Sequence, residues 1–365
     1  MSRKLDRIVI EGYKSIEACD LQLGPLNVLV GPNGAGKSNF ISVFGLLGHI
    51  VQEDLQLSVA RAGGASTLLH GGTRMTESLR LHTYFGRNQY EARLVLGARD
   101  DLLFETETSY FRGSGYSDDE AFGVGLGSGQ RESNLRVVAS SEKVAAYCLA
   151  AMETWRVFHF HDTSAQAGAK QKQQLGDDES LRSDASNLAP FLFMLRESER
   201  EAYDRIVDAV RLVAPFFQDF RLAPDRVNKE RIQLEWRQVG SDAYFNGHAL
   251  SDGTLRFMCL ATLLLQPDPP SLIVIDEPEL GLHPFAITQL GGMLEAASEQ
   301  RQLLVSTQSV TLLNQLDPEY LIITEQRDGA TSFVRPDLDA LDAWMEEYAV
   351  GELWERNALG GRPYS

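Results

Sequence analysis

The clearest chemical pattern in the sequence is the run GPNGAGKS at residues 31–38. It matches GxxxxGK[ST], in which glycines let successive backbone N–H groups point at phosphate oxygens. The pattern predicts that Lys37 reaches the β- and γ-phosphates of ATP and that Ser38 holds Mg²⁺ through its hydroxyl. A chance glycine-rich turn is the alternative, but the pattern has a strand-like run before it and a helix-like run after it, as such a loop requires.

Two carboxylates, Asp276 and Glu277, follow the apolar run Leu272–Ile275. Ligands bind at the carboxyl ends of parallel strands, so this order is typical of a strand that ends at a site. We expect Asp276 to orient Mg²⁺ and its waters, and Glu277 to polarise the attacking water as a general base. The alternative is that they only cap the next turn, which is a weaker explanation beside a complete phosphate-binding loop.

A third pattern, residues 250–254 with the sequence LSDGT, precedes a strongly apolar helix. At a helix start, Ser251 and Gly253 can form an anion site from a hydroxyl, backbone N–H groups and the helix dipole. Taken alone, an ordinary helix cap explains the pattern better. Its place just before the acidic strand favours the anion site.

These groups require a strand before the phosphate-binding loop and a helix after it. The compact apolar run Leu26–Val30 predicts the strand, and Phe40–Ile50 predicts the helix. Leu79–Thr83 and Tyr90–Leu96 alternate apolar and polar residues, which predicts an antiparallel sheet with one wet face. Further predicted elements are the strands Leu5–Ile10, Ala18–Leu23, Trp155–Phe160, Arg231–Arg237 and Gln302–Val305, the helices Ser141–Glu153, Leu188–Leu212, Ser251–Gln266, Phe285–Glu299 and Leu338–Asn357, and a hairpin of Leu321–Glu325 with Thr331–Arg335.

This order of elements predicts an α/β fold with a mainly parallel core sheet, an antiparallel β subdomain and an inserted helical lobe. We expect one composite domain in three parts, residues 1–140, 141–250 and 251–365. The stretch 113–134 is rich in Gly, Ser and Asp and predicts a flexible hairpin tip or loop. No sustained heptad is visible, so no long coiled coil is expected.

Composition narrows the class of protein. The formal net charge of -17 argues against a non-specific polyanion binder, although a local basic groove stays possible. The three cysteines form no CxxC pair, which predicts a reducing compartment, no structural zinc and three small buried residues. We see no signal peptide and no apolar stretch of about 18 residues, so we expect a cytoplasmic protein with no membrane partner.

The three patterns, in this order, resemble the ABC-type ATPases. Residues 250–254 look like the LSGGQ signature, and residues 272–278 look like the Walker B strand. The run DEPELGLHP at 276–284 and the opening IEGYKS at 10–15 are similar to the RecF, SMC and OLD (overcoming lysogenization defect) group, and above all to its stand-alone predicted AAA-type ATPases. Members of that class often carry an HFHD element, here at 159–162, and a GGRP-like end, here at 360–363.

The resemblance implies an ABC-type P-loop NTPase head that works as a homodimer with two ATP molecules sandwiched between its subunits. Ser251 and Gly253 would then contact the γ-phosphate bound by the other subunit. The resemblance also implies work on DNA in repair, chromosome maintenance or defence. The nucleotide-contacting residues would be Lys14, Asn33, Gly34, Ala35, Gly36, Lys37, Ser38 and Asn39.

Two departures from the family pattern stand out. Gln308 occupies the place of the switch histidine, and its amide can donate a hydrogen bond to the γ-phosphate but cannot carry a positive charge. Slow hydrolysis, or a switch that mainly senses ATP, follows from this exchange. In addition, no Q-loop glutamine is evident, so His161, Asp162 or Gln166 is expected to stand in for it.

The HFHD element has two readings. His159 and His161 share one face of a predicted strand, and with Asp162 they could bind a metal. The favoured reading is a Q-loop-like element that touches the nucleotide or the Mg²⁺ shell.

Three functions fit these observations. The leading hypothesis is an ATP-hydrolysing dimer that clamps or senses DNA, with candidate groove cations that are otherwise ordinary surface charges: Arg61, Arg74, Lys143, Lys170 and Lys172. The second is a slow ATP-gated scaffold that controls a separate effector such as a nuclease or toxin, because the 57 residues after Gln308 are too few for a nuclease domain. A transporter motor is third, since the acidic strand and the signature differ from those of transporters.

Overall fold

The apolar run Leu26–Val30 forms a central strand of the core sheet in this computed structural model, which describes residues 4–113, 121–339, 344 and 347–357. Within those residues the core sheet has six strands. They lie in the order β17 (Ala330–Val334), β16 (Leu321–Arg327), β3 (Leu26–Val30), β15 (Gln302–Thr307), β14 (Leu272–Asp276) and β8 (Arg156–Phe158). Every neighbouring pair is parallel except β16 with β17. The predicted mainly parallel core sheet is confirmed.

Both faces of the core sheet are buried, which explains its unbroken apolar strands. Val28 and Val30 point into one hydrophobic core, and Leu29 between them points into the other. The same alternation divides Ile273 and Ile275 from Val274. Residues 31–38 follow the carboxyl end of β3 and Asp276 ends β14, so two of the three sequence patterns lie at strand ends.

One face of the core sheet is covered by α1 (Lys37–Val51) and by a second, antiparallel sheet. The strands of that sheet lie in the order β2 (Ile16–Gln22), β1 (Arg7–Tyr13), β4 (Ser78–Phe85), β5 (Asn88–Leu96), β6 (Leu102–Phe111) and β7 (Phe122–Gly127). The predicted antiparallel subdomain is confirmed. The prediction of a loop over 113–134 is wrong in part, because residues 122–127 form β7, which pairs with β6. Residues 128–134, which precede α3 (Leu135–Val138), form neither helix nor strand, and residues 114–120 lie outside the described residues.

The other face is covered by long helices and by the inserted lobe. The lobe contains α5 (Leu188–Ser198) and α6 (Arg200–Val213), which are separated at Glu199 where the backbone leaves helical angles (φ -132°, ψ 57°). It also contains two small antiparallel sheets, one of β10 (Phe217–Arg221), β12 (Glu235–Gln238) and β13 (Tyr244–Asn246), and one of β9 (Gln173–Gln174) and β11 (Arg231–Ile232). The single helix predicted over 188–212 and the single strand predicted over 231–237 are therefore both divided.

The remaining helices complete the two layers. They are α2 (Leu55–Arg61), α4 (Lys143–Met152), α7 (Asp252–Leu265), α8 (Pro284–Ser298), α9 (Val310–Leu313) and α10 (Val350–Glu355), with 3-10 turns at Ala65–Thr67, Gly168–Lys170, Gly247–Ala249 and Pro318–Tyr320. No helix in the described residues exceeds 15 residues, so this part of the chain holds no long coiled coil. None of these described helices is long and apolar enough to cross a membrane.

The C-terminal helix predicted over 338–357 is wrong as a continuous element. A turn precedes α10, and α10 packs on α9 with the Gly351 N–H donating to Asn314 Oδ1 at 2.7 Å. Parts of the predicted helix and the whole GGRP-like end lie outside the described residues.

Core-sheet strands come from all three predicted parts of the chain, since β3, β8 and β14 belong to different parts. The division at residues 140 and 250 stays a prediction.

All three cysteines are buried and free.

Gln302 fastens the segment just before β1 to the core sheet. Its side chain is buried at the start of β15, where Oε1 accepts from the Leu5 N–H at 3.0 Å and Nε2 donates to Leu5 O at 2.8 Å and Gly24 O at 2.9 Å. We expect Gln302→Leu to lower the free energy of unfolding by about 3 kcal/mol, because the buried N–H and C=O of Leu5 both lose their partner, whereas Gly24 O keeps its bond from Asn27 Nδ2. Urea denaturation followed by circular dichroism measures this.

The matched control is Gln300→Leu, two residues earlier on the exposed surface. It should change the free energy of unfolding by less than about 0.5 kcal/mol. Equal midpoints for the two variants would contradict the proposed role of Gln302.

Candidate nucleotide site

The phosphate-binding loop connects β3 to α1 at the carboxyl edge of the core sheet. Its backbone needs glycine at Gly34 and Gly36, where φ is 81° and 105°, values that other residues rarely adopt. Gly31 packs so closely on the carbonyl of Thr324 in β16 that any side chain would collide with it. The loop is thus held from below by the sheet, as the sequence predicts for a cradle of backbone N–H groups.

The Lys37 side chain lies inside this loop and is only 5% exposed. Its Nζ donates to Gly31 O at 2.7 Å and to Pro32 O at 3.0 Å. Burial lowers the pKa of Lys37, and nearby carboxylates oppose that shift, Glu277 and Asp276 first. The ammonium is therefore positioned where phosphate oxygens would replace backbone carbonyls.

A hydroxyl and a carboxylate meet at the position that the sequence assigns to Mg²⁺. Ser38 Oγ donates to Asp276 Oδ2 at 3.0 Å, and Asp276 Oδ1 accepts from Ser306 Oγ. Mg²⁺ prefers such oxygen ligands and keeps part of its water shell, so Ser38 and Asp276 fit this ion. Ser306, which sequence reasoning missed, orients the carboxylate from the neighbouring strand.

Glu277 has a left-handed backbone with φ 45°, which is unusual for a residue other than glycine. Its N–H donates to Ser306 O and to Ser306 Oγ, both at 3.1 Å, and these bonds hold the turn. Such outliers cluster at functional sites. The turn leaves the Glu277 carboxylate facing the phosphate-binding loop.

Gln308 connects the loop to this carboxylate. Its Nε2 donates to Asn33 Oδ1 at 2.8 Å and also to Glu277 Oε1. The structure therefore brings Asn33, Glu277 and Gln308 together, as their sequence positions imply.

Other predicted residues lie farther from this edge. Lys14 Nζ donates to Ser42 Oγ at 3.0 Å, and burial lowers its pKa. Asn39 Nδ2 donates to Ser15 Oγ at 2.7 Å, which ties α1 to the turn between β1 and β2. The Ala35 side chain is buried, so only its backbone can face a phosphate.

A cavity of about 340 Å³ runs beside α1 from the Ser38 end of the site. Lys14, Ser38, His159 and Asp276 are among its lining residues. The backbone of His159 is fixed by its N–H, which donates to Ser183 O at 2.8 Å. Of the HFHD element, His159 lines this cavity, whereas the sequence pointed to His161, Asp162 or Gln166 as the Q-loop substitute.

Metal binding by the HFHD element gains no support from the geometry. The rings of His159 and His161 are 6.3 Å apart between centroids. Nowhere in the part of the chain that the structure describes do three or more His, Cys, Asp or Glu side chains gather so that they could hold a metal ion.

The signature-like segment begins α7. Ser251 caps the helix, because its Oγ accepts from the Thr254 N–H at 3.2 Å. Gly253 abuts the loop after β14, and a Cβ there would lie 2.6 Å from Gly281 O. No hydrogen bond or ion pair found among the described residues joins this segment to the phosphate-binding loop of the same chain.

Arg256 links the signature helix to the HFHD element, a contact that sequence reasoning missed. Its buried guanidinium donates to Phe160 O at 2.9 Å and to His161 O at 3.1 Å. Burial lowers its pKa. The one sequence signal for this contact is an arginine within a helix that is otherwise apolar, since such a helix has little exposed surface for a charge.

A comparison with protein-family models identifies the family. The profile described as "AAA domain, putative AbiEii toxin, Type IV TA system" matches residues 26–314, which include the phosphate-binding loop, the signature, the acidic strand and Gln308. The chain belongs to this AAA family. It is an ABC-type P-loop ATPase of the RecF- and SMC-like class, a class that uses a nucleotide and usually Mg²⁺.

Two sets of relatives agree with this membership. The DNA replication and repair protein RecF of Vibrio vulnificus (strain YJ016) is 46% identical over 46 residues, and that of Aliivibrio fischeri (strain MJ11) is 44% identical over 46 residues. Each match spans 12% of this chain and 13% of the RecF protein, so the chain matches only a small part of these relatives.

Solved structures match over nearly the whole chain. The Smc head bound to the C-winged helix domain of ScpA aligns with a TM-score of 0.58 at 14% identity, over 94% of this chain and 99% of that one. The Pyrococcus furiosus Smc head with an extended coiled coil, bound to the C-terminal domain of ScpA, gives a TM-score of 0.53 at 14% identity, with the same coverage. This AAA family member therefore has the fold of an Smc head, and the predicted fold class is confirmed.

The close approach of Gly253 and Gly281 yields a stability prediction. We expect Gly253→Ala to lower the free energy of unfolding by about 1–3 kcal/mol, because the added methyl group meets a backbone oxygen that cannot rotate away. Hydrogen exchange of residues 277–283 should also become faster, as mass spectrometry can show.

The control is Gly292→Ala in α8, where a Cβ meets nothing within 4 Å. Alanine has the higher helix propensity, so this variant should be neutral or stabilised by up to about 1 kcal/mol. Unchanged exchange at 277–283 in Gly253→Ala would show that the contact is not tight.

Proposed function

We propose that this protein binds ATP with Mg²⁺ at the phosphate-binding loop and hydrolyses it with Glu277 as the general base. One observation carries the proposal. The Gln308 amide joins Asn33 of the loop to the Glu277 carboxylate, beside the Ser38–Asp276 pair. A base, a polar sensor and a cation-binding pair thus converge on one phosphate cradle.

The binding step follows from the loop geometry. The backbone N–H groups of residues 33–38 and the N-terminal end of α1 would surround the phosphates, with Lys37 Nζ exchanging its carbonyl partners for phosphate oxygens. Mg²⁺, held by Ser38 and Asp276, would neutralise part of the phosphate charge. Asn39 and Lys14 remain proposed contacts.

The chemical step needs a proton acceptor near the γ-phosphate. The Glu277 carboxylate would take a proton from the attacking water, and its strained turn keeps it aimed at the loop. Gln308 would hold this carboxylate and donate to the phosphate in the transition state. Because an amide carries no charge, it stabilises developing negative charge less than a histidinium would, and we propose slow turnover.

A homodimer is the arrangement that completes this site. Ser251 and Gly253 lie at the surface end of α7 and have no described bond to their own loop. Two large apolar side chains beside them, Leu280 and Phe285, are 50% and 47% exposed. We propose that a second copy covers these side chains and that Ser251 and Gly253 contact the γ-phosphate bound by that copy.

We propose DNA as the cargo, because the chain is similar over a short segment to RecF, a DNA replication and repair protein. Two of the five candidate cations do not serve it. Lys170 is buried, donates to Thr163 O at 2.5 Å and lies 3.6 Å from Asp252 of the signature. Lys172 is paired with Asp225 at 2.5 Å.

The three remaining cations are exposed, and none forms an ion pair in the described part of the chain: Arg61, Arg74 and Lys143. We keep these as the proposed phosphate contacts.

A second function, an ATP-gated scaffold for a separate effector, is favoured by one observation. The uncharged Gln308 at the switch position suits a sensor of ATP better than a fast hydrolase. The family description names a putative toxin of a type IV toxin–antitoxin system, which fits an effector such as a toxin or nuclease in defence.

Trapping the dimer tests the first proposal. We expect Glu277→Gln to bind ATP, to lose at least about 100-fold in turnover and to elute as a dimer with ATP, because the base is gone while the phosphate contacts stay. Size-exclusion chromatography with light scattering, together with a phosphate-release assay, measures both effects.

The control is the double variant Lys37→Ala/Glu277→Gln, which lacks the buried ammonium and should stay monomeric with ATP. A Glu277→Gln protein that is monomeric at saturating ATP would exclude the sandwich.

DNA binding separates the two functions. We expect log Kd for duplex DNA to depend on log salt concentration in the presence of ATP, and the slope to fall by about three in the variant Arg61→Ala/Arg74→Ala/Lys143→Ala, one for each lost phosphate contact. Fluorescence anisotropy at several salt concentrations measures this.

A matched control removes three exposed cations of the lobe with the same change in net charge, at Arg205, Arg226 and Lys229. It should leave the slope unchanged. Absence of binding at low salt, with and without ATP, would favour the effector-controlling scaffold.

A further inference from the structure

Glu279 is a buried acid that the proposed chemistry does not use. It lies in the loop after β14, three residues beyond Asp276, and is only 8% exposed. Its Oε1 accepts from Thr307 Oγ1 at 2.5 Å and from the Gln308 N–H at 3.3 Å. Its Oε2 is buried and has no hydrogen-bond partner among the described residues. A dry, half-partnered carboxyl is expensive, so its presence calls for a reason.

The contacts of Glu279 fix the end of β15. Thr307 Oγ1 donates to Glu279 and also accepts from the Ser309 N–H at 3.0 Å. The Glu279 carboxyl group thereby holds Thr307 and Gln308 directly, and it holds Ser309 through the Thr307 hydroxyl. The side chain of Gln308 leaves this anchored backbone and spans the gap between Asn33 and Glu277.

The electrostatic setting suits a neutral acid in this role. Burial raises the pKa of Glu279, hydrogen bonds from Thr307 and Gln308 oppose that shift, and the nearby Glu277 carboxylate adds to it. A neutral carboxyl accepts both hydrogen bonds without placing another negative charge beside Glu277 and Asp276.

We propose that Glu279 is a positioning residue that holds the backbone of Thr307 and Gln308 so that the Gln308 amide reaches both the phosphate-binding loop and Glu277. This role rests on the proposed ATP hydrolysis, and it couples the loop after β14 to the switch position. A shift of that loop, such as a second copy would cause by packing on Leu280, moves Gln308 with it.

A double-mutant cycle tests this coupling. Glu279→Ala should lower kcat at least about tenfold while the Kd for ATP changes less than about threefold, because the phosphate cradle is untouched. In a Gln308→Ala background, Glu279→Ala should have no further effect on kcat, since the group it positions is already gone. Glu279→Gln keeps the acceptor and the shape, and should retain kcat within about threefold.

One further variant tests the bond between Thr307 and Glu279. Thr307→Val preserves the shape of the side chain but removes one bond to Glu279, and should give a smaller loss of kcat that also disappears in the Gln308→Ala background. Full additivity of Glu279→Ala with Gln308→Ala, or a Glu279→Ala enzyme with unchanged kcat, would overturn the proposal.

A readout independent of hydrolysis distinguishes the two proposals. Hydrogen exchange of the Gln308 and Ser309 amides should become at least about tenfold faster in Glu279→Ala and stay unchanged in Glu279→Gln. A wild-type protein without turnover would overturn the hydrolysis and leave the anchor to be decided by exchange. Unchanged exchange in Glu279→Ala would overturn the anchor whatever the turnover.

Discussion

The parallel pairing of β3, β15 and β14 is the constraint on which the rest of the structure depends. Parallel strands bring their carboxyl ends to one edge, so the loops after Val30, Asp276 and Thr307 meet there although they are far apart in sequence. Both faces of the sheet are covered by hydrophobic cores, and the polar groups of the site lie at this edge. The phosphate-binding loop, the acidic turn and the switch residue are thus neighbours because of strand order.

Charged side chains are concentrated at this edge of the sheet, and hydrogen bonds fix the position of each acid. Lys37 lies near three acidic side chains, and each of these has its own support: Ser306 holds Asp276, Gln308 holds Glu277, and Thr307 holds Glu279. All three supports are consecutive residues at the end of one strand, β15. A change in the position of this strand end therefore acts on every acid of the site at once.

How much the sequence could predict follows from the range of the interactions. The glycine pattern at 31–38 and the acids after β14 are local signals with a fixed chemical meaning, and both lie where the sequence predicts. The small sheets of the lobe have strands of two to five residues, too short to show a period. Arg256 and Glu279 escaped notice because their partners come from 96 and 28 residues away, and burial of a charged side chain cannot be seen until those partners are assembled.

The contact between Gly253 and Gly281 has a mechanical consequence. Most contacts between elements are made by side chains, which absorb a displacement by changing rotamer. Here the backbone of Gly253 packs on the backbone of Gly281 with no side chain between them, so no change of rotamer can absorb a displacement. A movement of the loop after β14, which holds Glu277, is therefore passed directly to the start of the signature helix. The acid of a chain's own site then moves together with the Ser251 and Gly253 that the chain would contribute to the site of a second copy.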